Sequence, residues 1–279
     1  MDEKYYDSSI NNYFIKEYTE DYDMKTKWDM AIGLQKVDNL KPSKYLEKLT
    51  EENINGIKTL KEVEEQLKDY YKEKNKKQSI NKNEFECDLV STRIVELLQD
   101  DKFELSIDYI KNIHKYLFKD IYDFAGTIRS YNFSKHEIIL GGDSAPYGDY
   151  KVIEKSLEYD LSLEKEKDYK TMNVVDIIKS ITDFTSRIWQ VHPFNEGNTR
   201  TTAVFIEKYL RHLGYFVDNT LFKDKSVYFR NALVRSNYSN ENINIKPDNI
   251  YLINFYENLL LGKTNDLKSK DLVVKELTK

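Results

Sequence analysis

The sequence predicts an all-α helical bundle interrupted by one short β-hairpin. Three observations carry this reading. Glycine and proline are scarce, 9 and 4 among 279 residues, beside abundant Lys, Glu, Leu and Ile, a composition that favours helix. Apolar residues recur at three-to-four spacing along most of the chain. That rhythm breaks in residues 131–150, where Ile138, Ile139 and Leu140 run into Gly141 and Gly142, as a strand entering a tight turn would.

Taken in order, helices are expected over residues 25–37, 42–53 and 60–71, separated by DNLK and NGIK, with Pro42 in the first turn of the second. The run KEKNKKQSINK at 72–82 replaces the apolar pattern with solvated charge and reads as a connector. The chain therefore divides into an N-terminal helical module, residues 1–74, and a larger domain, residues 75–279. Farther on, Val174, Val175, Ile177, Ile178, Ile181, Phe184, Ile188 and Trp189 predict a buried helix over 173–191. His192 stands at its end and Pro193 closes it. Ala203, Val204, Ile206, Tyr209 and Leu210 resume the period in a helix starting at 198–200 and stopping at Gly214.

Between these two helices lies HPFNEGNTR, residues 192–200. Gly197 lets the backbone approach a ligand, and the N–H groups of Asn198, Thr199 and Arg200 open the second helix at its positive end, an anion-binding arrangement. Arg200 adds a planar fork for phosphate oxygens. Glu196 suits Mg²⁺, which commonly takes one carboxylate plus substrate phosphates. His192 titrates near neutrality and is the natural general base for a hydroxyl. Singly, each has a bland alternative: a capping histidine, or an ordinary i, i+4 pair between Glu196 and Arg200. Their joint occurrence favours a phosphate-handling site. His114, among Ile110, Ile113 and Leu117, reads as structural.

A formal net charge of −5 and a pI near 5.6 argue against general nucleic-acid binding. Cys87 stands alone, so neither an intrachain disulfide nor a cysteine-built zinc site is available. An acidic, polar start and the lack of a long apolar run predict a soluble cytoplasmic protein without membrane contact.

HPFNEGNTR resembles the signature of Fic family proteins, H-x-F-x-[D/E]-G-N-x-R. The likeness extends through FELSIDYIKNIHKYLFKDIYDFAGTIR, YNFSKHEIILGGDSAPY, YFRNALVRSNYSN and YLINFYENLLLG, covering residues 82–272. It implies a Fic fold with a flap over the active site, and transfer of AMP from ATP, with Mg²⁺, to a Ser, Thr or Tyr hydroxyl of a target protein. On this resemblance His192 is the base and Glu196 the metal ligand. Gly197, Asn198, Thr199 and Arg200 hold phosphate, and Asn237 contacts adenine. The flap residues Ile138, Ile139, Leu140 and Gly141 take the target as an added strand. Self-modification on some of the 22 tyrosines and a homodimer are further expectations. Donors such as UMP, GMP or phosphocholine sources stay open, as does a silent nucleotide- or peptide-binding module.

Two positions depart from the family pattern. Thr199 replaces a frequent glycine, and Ala203 stands where many members carry a second arginine, a contact worth roughly 1.5–3 kcal/mol. Residues 28–71 resemble the small antitoxin partners of Fic proteins, fused here in one chain. Their inhibitory [S/T]-x-x-x-E-[G/N] aligns with Leu34-Gln-Lys-Val-Asp38-Asn39, and SKYLE at 43–47 is a second candidate. Asp38 and Asn39 are thus either regulatory or a plain helix-terminating turn.

Overall fold

The computed structural model describes residues 20–77 and 79–278. The first nineteen residues of the expected N-terminal module therefore lie outside the described residues, as do Gln78 and Lys279. Among the described residues there are ten α-helices: α1 (Glu20–Gln35), α2 (Lys44–Ile54), α3 (Leu60–Lys77), α4 (Lys82–Gln99), α5 (Ile107–Phe118), α6 (Ile153–Lys165), α7 (Val174–Val191), α8 (Asn198–His212), α9 (Leu221–Asn237) and α10 (Ile250–Leu261). Side-chain caps fix several starts: Ser43, Asn81, Ser106 and Asn173 each accept a first-turn N–H, satisfying a donor the helix leaves unpaired. The sequence places α7 and α8 to within a residue or two, and α3 runs beyond its expected end.

One apolar core runs through the bundle, from Trp28 and Leu34 on α1 through Ile94 on α4 to Phe184, Phe205 and Phe229 on α7, α8 and α9. Helix α1 is seated against α4 and α9. Gly33 makes the α9 contact close: a Cβ there would meet the Phe222 carbonyl oxygen at 2.3 Å, and the Ser226 hydroxyl donates to the Gly33 carbonyl. The helices that follow are tied to α4 by Asp88, which is fully buried. Its carboxylate accepts from Ser43 N at 2.9 Å, from the Ser43 hydroxyl and from Tyr71 Oη at 2.7 Å. Ser43 is thus a cap and an anchor, and SKYLE opens α2.

The expected hairpin is not formed. Ile138–Leu140 is a single 3-10 turn, and among the described residues the β-pairing is one isolated bridge, Asn240 with Ile245. The burial pattern gives the reason. Ile138 is 92% exposed while Ile139 and Leu140 are both buried, and two consecutive inward side chains fit a helical turn, not a period of two. Gly141 and Gly142, at φ +61° and +96°, then wrap the chain so that Glu137 N reaches Asp143 O at 2.9 Å. The free edge that strand addition requires is missing here: the Ile139 carbonyl accepts from Val274 N at 2.8 Å, and a Cβ on Gly141 would strike the Leu277 carbonyl. No described helix is long and apolar enough to cross a membrane.

Candidate active site at the α7–α8 junction

The loop between α7 and α8 is held by residues from four other parts of the chain. His192 ends α7 in a left-handed conformation, φ 49° and ψ 60°. Its carbonyl accepts from Arg129 Nε at 2.7 Å. The same buried guanidinium donates to the carbonyls of Tyr131, Gly148 and Val191, and Arg129 N donates to Pro193 O at 2.9 Å. Arg129 thereby converts a strained corner into a fixed one. The imidazole stacks on Tyr147 with ring centroids 3.8 Å apart and 15° between planes. Nδ1 sits 3.3 Å from the Trp189 carbonyl, and Nε2 is buried without a partner. Burial, with Lys135, Arg129 and Arg230 nearby, holds this imidazole well below its ordinary 6.5, so it is neutral at physiological pH.

The rest of the loop is pinned from inside. Phe194 stacks on His114 at 3.8 Å, and Asn198 closes the turn by accepting from Phe194 N at 2.9 Å and donating to Phe194 O at 2.6 Å. His114 accepts from Gly126 N on Nδ1 at 2.8 Å, so its proton is on Nε2, which donates to the Glu196 carbonyl at 3.0 Å. The sequence reading of His114 as structural holds, and its task is to anchor the loop. Gly197 is obligatory: φ is +77° and a Cβ would meet the Phe118 ring at 2.4 Å. The Thr199 hydroxyl faces inward and accepts from Trp189 Nε1 at 3.0 Å, rather than facing solvent or an incoming phosphate.

The two buried histidines make stability pH-dependent. Burial lowers His114 from 6.5 to about 4. For His114 the neutral-state contribution is complete above the unfolded value and is lost as pH falls from about 6.5 toward 4, where the unfolded chain binds more protons, and for His192 the loss likewise sets in as pH falls below 6.5. For His114 the span corresponds to about 3 kcal/mol. Urea unfolding between pH 7 and pH 4 is expected to show this loss, with a shallower slope in His114→Gln.

Five charged side chains complete the site. Glu196 stands half exposed, with Lys135 Nζ 2.7 Å from Oε2. Arg200 is 1% exposed and lies over Phe118, with 4.8 Å from Cζ to the ring. Its Nη1 donates to Gln35 Oε1 at 2.9 Å and its Nη2 to Glu86 Oε1 at 2.7 Å. Asp38 Oδ2 lies 2.9 Å from Nη2. Asp38 thus meets the first arginine of the motif, not a partner at Ala203, which is buried in α8. Asn39, at φ 57°, ends the turn by donating to Lys36 O at 3.1 Å. Asn237 is turned inward: its amide donates to the carbonyls of Ser186 and Leu233.

Sequence reasoning left out Glu86, Arg129, Tyr147 and Arg230. Arg129 lies in the AGTIR turn and carried a signal; the others are brought in only by tertiary packing. Among the described residues no group of three or more His, Cys, Asp or Glu could hold a metal. Glu196 fits a cation that takes one protein carboxylate and otherwise phosphate and water oxygens.

Comparison with known proteins finds protein adenylyltransferases among the similar chains. A probable protein adenylyltransferase, y4lH of Sinorhizobium fredii, is 28% identical over 154 residues, 55% of this chain and 76% of its own. The protein adenylyltransferase VbhT of Bartonella schoenbuchensis is 30% identical over 118 residues, 42% of this chain and 23% of its own. The probable protein adenylyltransferase Fic of Escherichia coli K12 is 28% identical over 112 residues, 39% of this chain and 52% of its own. The chain thus spans about half or less of the length of two of these relatives. The Fic/DOC family matches residues 104–210, which include the His114 anchor, the Arg129 clamp and the whole loop from His192 to Arg200. In this part the chain is similar to the Fic/DOC family.

Proposed function

We propose that the protein is an adenylyltransferase that moves AMP from ATP to a hydroxyl of a target protein. The observation that carries this reading is the buried, neutral, unpartnered His192 Nε2 beside the N-terminus of α8. A base with a free lone pair, followed six residues on by a helix N-terminus that suits an anion, supports a reaction between a hydroxyl and an α-phosphate. His192 accepts the acceptor's proton on Nε2, the acceptor oxygen bonds to the α-phosphorus, and the bond from that phosphorus to the bridging oxygen breaks, releasing pyrophosphate. The backbone N–H groups of Asn198, Thr199 and Arg200 after Gly197, with the Arg200 guanidinium, would bind the phosphates. Mg²⁺ held by Glu196 would neutralise phosphate charge and would compete with Lys135 for that carboxylate. Asn237 contacts adenine once its amide leaves α7, and exposed Ile138 meets the target.

The N-terminal helices act as a built-in antidote in this reading. Gln35 and Asp38 engage the Arg200 fork that phosphate needs, and Asn39 shapes the turn that presents Asp38. The protein works in the cytoplasm and modifies its own tyrosines when no target is present.

The test is intact-protein mass after incubation with Mg²⁺ and, separately, ATP, UTP, GTP or CDP-choline. Gain of one AMP unit with ATP is expected. Gain with another donor alone would replace adenylyl transfer by the rival chemistry. Nucleotide binding with no covalent product, on this chain or on added lysate proteins, would favour a silent module.

A further inference from the structure

A second guanidinium reaches the site from α9. Arg230 donates from Nη1 and Nη2 to the two carboxylate oxygens of Glu137, at 2.6 and 2.9 Å. Glu137 is buried, directly before the Ile138–Leu140 turn, and two residues beyond Lys135, which grips Glu196. Arg230 is close enough to the base to act on it electrostatically, and close enough to Asp38 to be acted on by it. It is thus within electrostatic range of both the His192 imidazole and the Asp38 carboxylate. It also lies seven residues before Asn237 on the same helix, hence on the same face and roughly 10 Å away along the axis.

Arg129 is spent on backbone carbonyls, and three other cations near the loop are matched to carboxylates of the chain itself: Lys135 to Glu196, Arg200 to Asp38 and Glu86, and Arg230 to Glu137. The Arg230 pair is bidentate, and a fork holding two carboxylate oxygens has the geometry to hold two phosphate oxygens instead. Ala203, with no charge to offer, leaves the N-terminal half of α8 with one arginine for a triphosphate.

We infer that Arg230 is the distal-phosphate ligand of this enzyme, supplying from α9 the guanidinium that α8 lacks at Ala203, with Glu137 as the internal carboxylate that the nucleotide displaces. The inference rests on the reading of the site as an ATP site. Nucleotide binding to α8 alone would leave Glu137 and Arg230 paired. Binding across both helices separates them and frees the 135–143 segment.

The experiment is calorimetric titration of the full chain, with Mg²⁺, by ATP and by AMP. Arg230→Gln is expected to weaken ATP by roughly tenfold to a hundredfold, the range of a lost charge-assisted contact, and to leave AMP unchanged. Glu137→Gln, which keeps the fork and removes its competitor, is expected to tighten ATP alone. Equal weakening of ATP and AMP by Arg230→Gln, with no tightening in Glu137→Gln, would make the pair a packing element and overturn the inference. Unaltered ATP binding in both variants would overturn it as well. Failure of the wild-type chain to bind ATP or AMP would instead remove the nucleotide site, and this inference with it.

Discussion

With His192 replaced by alanine, adenylyl transfer is expected to fall by roughly a hundredfold to ten-thousandfold, the usual contribution of a positioned general base, while ATP binding is retained. The separation of these effects follows from the site's construction. The imidazole nitrogen that faces the site has no partner, and the other sits beside Trp189 O, so the side chain's removal takes away no phosphate ligand. The loop stays in place through Arg129 on its backbone and His114 on the Glu196 carbonyl. Measurement is by mass and by nucleotide titration on the same preparation. In the wild-type chain the acid limb of the rate profile should lie below pH 6.5, because burial keeps His192 neutral down to lower pH than a free histidine. Transfer that persists undiminished in His192→Ala would assign the base elsewhere.

Replacing Asp38 by alanine is expected to raise self-modification and ATP affinity by roughly threefold to tenfold. The magnitude is set by competition. Arg200 is wholly enclosed, but Asp38 is partly open to water and shares the guanidinium with Glu86 and Gln35. Removing a partly solvated member of such a cluster frees about 1 kcal/mol, not the several that a sealed pair would. Asp38→Asn keeps the shape and drops the charge, so agreement of the two variants would assign the inhibition to electrostatics. An increase in Asp38→Ala alone would make it steric. No change in either would leave the 36–39 turn as a plain helix terminus.

Much of the helical frame was legible because burial and a period of 3.6 coincide in α7 and α8, and because Pro193, Gly197 and Gly214 punctuate them. The motif's inner workings were less so. Thr199 gave no sign that its hydroxyl faces Trp189. Arg200 draws on residues 114 and more positions away, Glu86, Asp38 and Gln35, and no local pattern encodes such a meeting. The hairpin failed for a different reason: three β-branched or aliphatic residues before two glycines are compatible with both a strand and a 3-10 turn, and the buried docking of Ile139 and Leu140 against the C-terminal segment decided the matter. Asp38 was found by alignment to an inhibitory pattern, yet its partner proved to be a different arginine from the one that pattern implies.

The backbone-to-backbone approach of α1 and α9 at Gly33 has a kinetic consequence. In the proposed inhibition the covering helix and the covered site share one chain, so dilution would not separate them, and the rate of unmasking would be first order whatever the protein's abundance. Prying α1 away would expose the apolar surface from Trp28 to Leu34, a costly step, whereas swinging the short turn at 36–39 leaves that surface buried. Control of this kind is set by the energy of a few backbone torsions, and it responds to a ligand in the time such a turn takes to move rather than in the time two proteins take to part.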